Sequence, residues 1–393
     1  MTSVERGMAG RVLILDGFWN KALAAVRSLG ERGLSVAVGA ETRLAPAMFS
    51  RHCRRRFVYP SAAGRPADFL EALERELAGG GYDVLLPMEL DTQLLVTGGR
   101  GRLAERVRIP FADAQRTLRV NDKGFLAGFA KEQGIDCPAT FLPSGAEEAT
   151  ALAPALPYPV LVKPRHSSGG RGIVRVEAPG EFLAAYRAVD ARYPLPIVQE
   201  GLPPGGEALG VAVLMNFASE PRAAFAYRRL REYPVSGGPS TLRESVRDPR
   251  LCEGAERLLA ALGWTGIAMV EYKVDPRDGR PKLLEVNPRF WGSLHHAILC
   301  GVDFPFLLYR LAMEGDVARV DGYRVGVRSR SLLHGEVMHF LRNPHRLDLR
   351  PGLAAFSIPD DVLSARDPLP VLGRILSLVA LARDPHLRAI ARG

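Results

Sequence analysis

Apolar residues recur along this chain with two periods. In the first hundred residues the short apolar runs RVLILDG (Arg11–Gly17), LSVAVGA (Leu34–Ala40) and YDVLLPME (Tyr82–Glu89) alternate with NKALAAVRSLGERG (Asn20–Gly33) and DFLEALERELAGGG (Asp68–Gly81), whose apolar positions return every three to four residues. Runs of the first kind predict buried strands and those of the second predict amphipathic helices, with Asn20 as a cap and Gly33 as a stop. Strand and helix in alternation imply a parallel sheet with helices on both faces, an α/β domain. From about Leu118 the pattern changes. RVNDKGFLAGFAKEQGIDCPATF predicts a helix, a turn and a strand, and YPVLVKPRHSSGGRGIVRV two strands joined by a polar glycine-rich turn. Further on, PIVQEGLPPGGEALGVAVLMN, PRAAFAYRRLREYP, GIAMVEYKVD and PKLLEVNPRF predict strands between Pro/Gly turns, an antiparallel sheet with charged residues on one face. One helix, DPRLCEGAERLLAALG, interrupts them. After Gly315 the pattern weakens into a partly helical tail rich in Pro and Arg.

A chain of 393 residues exceeds the usual single domain. The expected units are an N-terminal α/β domain (1–116), a small subdomain (117–196), a larger one (197–315) and the tail (316–393). The net charge of +9 comes from 52 basic residues spread along the chain, clustered only in RHCRRRF (Arg51–Phe57). A solvated edge accounts for that cluster better than a polyanion site, and no nucleic-acid partner is expected. Cys53, Cys137, Cys252 and Cys300 are far apart and read as reduced thiols. The histidines of HGEVMH (His334–His339) are five apart, so they do not share the helical face a zinc pair needs. The start carries no basic end followed by an apolar run of signal-peptide length, and no segment reaches spanning length, so a cytoplasmic protein is expected. The apolar, arginine-spaced stretch Leu369–Gly393 reads as a helix on the core or, alternatively, on an anionic membrane surface.

In LLEVNPRFWGS (Leu283–Ser293) a period of two puts Glu285, Asn287 and Arg289 on one face and Leu284 and Val286 on the other. The oxygens of Glu285 and Asn287 suit Mg²⁺. Glu271 lies on the preceding strand, and the turn DPRDGR between them predicts a hairpin that opposes Glu271 to Glu285. Two opposed carboxylates call for a cation between them, unless both are solvated on an edge strand. The turn KPRHSSGGRG (Lys163–Gly172) offers unobstructed backbone N–H groups, hydroxyls and cations, as a triphosphate requires; a surface hairpin is the other reading. There is no GxGxxG after the first strand and no GxxxxGK[ST] anywhere, which argues against a dinucleotide fold and a P-loop NTPase.

Lys123 in NDKGF, Lys163 in VLVKP, the glycine-rich loop, IVQEGLPPGGE, MVEYKVD and LLEVNPR occur in an order that resembles the ATP-grasp superfamily, in its carboxylate–amine ligase and carbamoyl-phosphate-synthase-like branch. The resemblance runs from about Arg11 to Glu314. It implies an α+β ATP-grasp of two subdomains with antiparallel sheets, behind the parallel N-terminal domain. It further implies that Lys123 and Lys163 contact ATP phosphates under a lid formed by Ser167, Ser168, Gly169, Gly170 and Gly172. Gln199, Glu200 and Leu202 would meet the adenine and Glu207 the ribose. Glu271, Glu285 and Asn287 would hold Mg²⁺ or Mn²⁺, and Arg289 would reach the γ-phosphate. Arg228 and Arg231 are the implied substrate-side cations, next to a small-residue loop from Ser236 to Thr241. Trp291, Ser293, His295 and His296 are candidates for the acceptor pocket, with scaffolding the commoner role for such a histidine pair. The implied reaction is ATP-dependent joining of a small carboxylate to an amine through an acyl phosphate. A thiol or carboxylation acceptor, or a non-catalytic ATP-binding module, stays open. The expected partners are these small molecules, a second copy of the chain in a homodimer, and a membrane surface at the tail.

Overall fold

The computed structural model describes residues 10–167, 169–235, 237–353, 355 and 357–383. Ser168, Ser236 and the end of the tail, 384–393, lie outside the described residues. The first four strands, β1 (Arg11–Ile14), β2 (Ser35–Ala40), β3 (Cys53–Val58) and β4 (Val84–Leu86), form a parallel sheet in the order β3-β2-β1-β4. The helix Asn20–Glu31 packs on it as its apolar spacing predicts. Asn20 is not its cap, because the helix starts at that residue and its side chain is used elsewhere. Gly33 ends it with φ of +84°, a conformation that favours glycine.

The second sheet is antiparallel, with β5 (Thr140–Phe141), β6 (Val160–Lys163), β7 (Val174–Val176) and β8 (Ile197–Glu200) in the order β5-β8-β6-β7. β6 and β7 form the hairpin expected around the glycine-rich turn. This sheet extends past residue 196, where a boundary was expected, because β8 pairs with β5 and β6.

The largest sheet is antiparallel and six-stranded: β9 (Ala208–Met215), β10 (Pro221–Glu232), β11 (Ser240–Ser245), β12 (Gly266–Val274), β13 (Pro281–Asn287) and β14 (Arg328–Arg330), in the order β13-β12-β9-β10-β11-β14. One face rests on the helix Pro249–Ala261. The other joins the core of the N-terminal domain through Phe225, Tyr227, Phe290 and Trp291. The segment after Gly315 is part of this body: β14 pairs with β11, and the helix Leu369–Arg383 packs against the turn Pro46–Phe49. Arg374 and Ser377 face inward, while Leu369, Leu372, Ile375, Leu376 and Val379 are exposed. Among the described residues no single helix is long and apolar enough to cross a membrane.

Candidate active site

A cleft of about 910 Å³ is lined by residues from both antiparallel sheets, from the N-terminal domain around Asn20, Lys21 and Glu89, and from the C-terminal segment. Its floor is the β12–β13 hairpin. Glu271 and Glu285 are directly paired across this ladder, as the intervening turn predicts. Asn287 Nδ2 lies 3.0 Å from Glu271 Oε1 and 3.1 Å from Glu285 Oε1. Arg289 also lines the cleft, with its Nε 3.8 Å from Glu89. The register slips once, so that Tyr272 pairs with Leu283 and Leu284 is an extra residue. This bulge turns Leu284 into the cleft, against its expected orientation beside Val286, which stays in the core.

Cations surround the two carboxylates. Lys123, the first residue of its helix and capped by Asp122, reaches Glu285 Oε2 at 3.1 Å and donates to the Ser167 carbonyl. Arg229 on β10 meets Glu271 Oε2 at 2.5 Å and Glu232 at 3.1 Å. Lys163, at the end of β6, donates to Gln199 Oε1 at 2.6 Å, and Gln199 is held in turn by Thr140 at 2.9 Å. Burial pushes the Lys163 ammonium down to about 8, with Glu285 opposing and Lys123 and Lys273 adding to the fall. Burial also raises Glu271, partly offset by Arg229 and reinforced by Glu285. Burial acts on Glu285 in the same sense, but the charge and hydrogen bond of Lys123, with Asn287 and Lys163, outweigh it and hold this carboxyl below its ordinary value.

Among the described residues no three His, Cys, Asp or Glu side chains are grouped to hold a metal. The available set is two facing carboxylates and an amide that presents Oδ1 on rotation. That suits Mg²⁺, which keeps much of its octahedron for water and phosphate oxygens. Gly169 and Gly170 line the cleft with φ of +65° and +74°, conformations that glycine adopts without strain. A methyl group on Gly170 would lie 3.6 Å from the Gly237 carbonyl, so this loop faces the second small-residue loop. Glu200 and Leu202 also line the cleft, Glu200 paired with Arg277 at 2.5 Å. Glu207 instead pairs with Arg228 at 2.8 Å.

Arg231 does not line the cleft. Leu230 is an extra residue in the β10–β11 register, so Arg229 and Arg231 pair with the consecutive residues Arg243 and Leu242 and take opposite faces. Arg231 is buried against Glu336 at 2.6 Å and the Pro351 carbonyl at 2.6 Å. Arg228 is bound to Glu244 and Glu207. Arg229, missed in the sequence, is the cation that enters the cleft; its equal parity with Tyr227, another lining residue, was the available signal. Trp291 and Ser293 line the cleft. His296 is fully buried, contacts Ser329 Oγ at 2.9 Å and is pushed down to about 3, chiefly by burial. His295 lies 3.5 Å from Asp361. Neither histidine lines the cleft. The sequence also gave no warning of Lys21 and Glu89, paired at 2.7 Å, or of Arg243, Asp361 and Arg374.

This architecture is that of the ATP-grasp fold. The biotin carboxylase of Campylobacter jejuni superposes with a TM-score of 0.68 at 16% identity, covering 82% of this chain and 74% of that one. The N5-carboxyaminoimidazole synthetase of Staphylococcus aureus gives 0.64 at 15% identity, over 88% and 89%. The chain is an ATP-grasp protein by fold. Within that class, residues 215–332 match the family described as ATP-grasp in the biosynthetic pathway with Ter operon. An acetyl-CoA carboxylase of Schizosaccharomyces pombe is 26% identical over 187 residues, 46% of this chain and 8% of that protein. The chain thus matches less than a tenth of that relative's length.

Proposed function

We propose that this protein is an ATP- and Mg²⁺-dependent ligase that activates a carboxylate and joins it to an amine. The observation that carries the reading is the pairing of Glu271 with Glu285 across one ladder, bridged by Asn287 and flanked by Lys123 and Lys163. Two facing carboxylates and an amide offer hard oxygen donors for Mg²⁺, and the cations around them suit a polyphosphate.

In this reading Lys123 and Lys163 bind ATP phosphates, and the glycine loop closes over them with backbone N–H groups. Glu200 and Leu202 border the base, and Glu207, freed from Arg228, takes the ribose. Glu271, Glu285 and Asn287 would hold Mg²⁺, which when bound neutralises charge on the phosphate oxygens. Arg289 and Arg229 orient the substrate carboxylate toward the γ-phosphorus. A carboxylate oxygen bonds to that phosphorus as the bond to the β-phosphate oxygen breaks, giving acyl phosphate and ADP. The amine nitrogen then bonds to the acyl carbon, phosphate departs and the nitrogen loses a proton. Positioning and charge neutralisation account for most of the rate of such transfers.

ADP release tests the reading, measured with Mg²⁺ and ATP over pooled carboxylates with and without pooled amines. Release that needs both pools supports it, and release indifferent to amines contradicts it. The carboxylases among similar proteins favour a second reading, in which the carboxylate is bicarbonate. ADP release that requires bicarbonate and incorporates its labelled carbon would select that alternative.

A further inference from the structure

Part of the cleft is walled by the C-terminal segment, which the sequence presents as a tail. Asp361 and Arg374 both line it. Arg374 is 2% exposed; its Nη2 donates to the Phe18 carbonyl at 2.8 Å and to Asn20 Oδ1 at 2.6 Å. Asn20 is tied through Nδ2 to Ser331 Oγ at 3.2 Å, so the N-terminal helix and the C-terminal helix hold one another across the pocket. The Arg374 Nε has no acceptor. The indole N–H of Trp291, on the same lining, has none either, although its ring is buried edge-on against Phe304. A buried donor without a partner is costly, and these two, on residues that line one cleft with Arg229, whose Nε is also unpartnered, point to ligands that bring oxygen acceptors.

The neighbouring acids are committed already. Asp361 is paired with Arg243, and Glu89 with Lys21 at 2.7 Å. Three cations not used at the phosphoryl-transfer position, Lys21, Arg243 and Arg374, therefore face two carboxylates here. Burial brings the Arg374 guanidinium down only to about 10, so it stays charged at neutral pH. A guanidinium with a free Nε is shaped for a planar carboxylate. The carboxylate to be phosphorylated belongs beside Glu271 and Glu285, whose partners are Lys123 and Arg229; the cross-strand pairing of Arg229 with Arg243 makes the two positions neighbours in one cleft. Arg374 takes its partners from the N-terminal domain.

We infer that this pocket binds the carboxylate of the second substrate, so that the accepting amine belongs to an amino acid or a peptide, with Arg374 as its specificity-determining residue. The inference rests on the ligase reading for which carboxylate meets which cations.

The test uses the full chain with Mg²⁺ and ADP, titrated calorimetrically with free amino acids and, separately, with their α-amides. At least one free amino acid should bind ten-fold or more tightly than its amide. Arg374→Met should weaken the acid to the level of the amide while leaving the amide and a non-hydrolysable ATP analogue within two-fold, and Arg374→Lys should recover part of the loss. Should Arg374→Met fail to melt cooperatively, Trp291→Phe, which removes the indole N–H together with part of the ring, should weaken the acid about three-fold with the amide unchanged. Equal binding of acid and amide, no binding of either, or a parallel loss of both in the variants would overturn the inference. Selective binding without ADP release in the pooled assay would retain the pocket and refute the ligase reading instead.

Discussion

Replacing Lys163 by methionine separates stability from function in a way the geometry makes quantitative. Lys163 is buried among Lys123, Lys273 and Glu285, and its ammonium is lowered from 10.5 to about 8. Each unit corresponds to about 1.4 kcal/mol, so keeping the charge in the folded state below pH 8 costs about 3 kcal/mol. Methionine removes that cost but leaves Gln199 Oε1 without its 2.6 Å donor, which returns about 1 kcal/mol. The variant should therefore be about 2 kcal/mol more stable than wild type at pH 7, measured by urea unfolding without nucleotide. The sign with pH follows from proton counting. Between pH 8 and 10.5 the unfolded wild type binds a proton at this lysine that the folded protein does not, so wild-type stability rises with pH and the advantage of the variant fades. Calorimetric titration of a non-hydrolysable ATP analogue at pH 7 should show at least a ten-fold loss of affinity. A variant less stable than wild type by the same amount at pH 7 and pH 9.5 would refute the reasoning, since Lys163 would then be fully compensated in the fold.

Arg229→Lys should lower turnover ten-fold or more while the affinity for the ATP analogue changes less than three-fold, because a lysine cannot span Glu271 and Glu232 as the guanidinium does. Arg231→Met leaves Glu336 buried without its 2.6 Å partner and should cost about 3–5 kcal/mol in urea unfolding; a near-normal midpoint would return Arg231 to the list of substrate residues. Gly170→Ala meets no close atom but forces a φ of +74° on alanine, so binding of the ATP analogue should weaken a few-fold while the melting temperature falls by no more than a few degrees.

The parts of the site that the sequence exposes are those set by local rules. Period two and a tight turn are enough to oppose Glu271 and Glu285, and an apolar run ending in Lys163 before a glycine-rich turn is enough to mark a hairpin. What is hidden depends on single-residue slips and on packing between distant segments. The bulges at Leu230 and Leu284 exchange faces, which put Arg229 rather than Arg231 in the cleft and brought Leu284 to its wall. Arg374 lies over three hundred and fifty positions from Asn20, and no local pattern announces that pair. The exposed leucines of that helix and its buried arginine also explain why its composition alone does not distinguish a core helix from a surface one.

The central claim is that a carboxylate is activated by direct transfer of the γ-phosphoryl group. Once pooled assays have supplied a substrate pair, that carboxylate is prepared with ¹⁸O in both oxygens and turned over with unlabelled ATP, and the released phosphate is analysed by mass spectrometry. An acyl phosphate predicts one ¹⁸O in each phosphate released, with none above background when Glu285→Ala replaces the wild type. Unlabelled phosphate formed at the wild-type rate would mean that water attacks ATP instead, and the account of the site would be wrong.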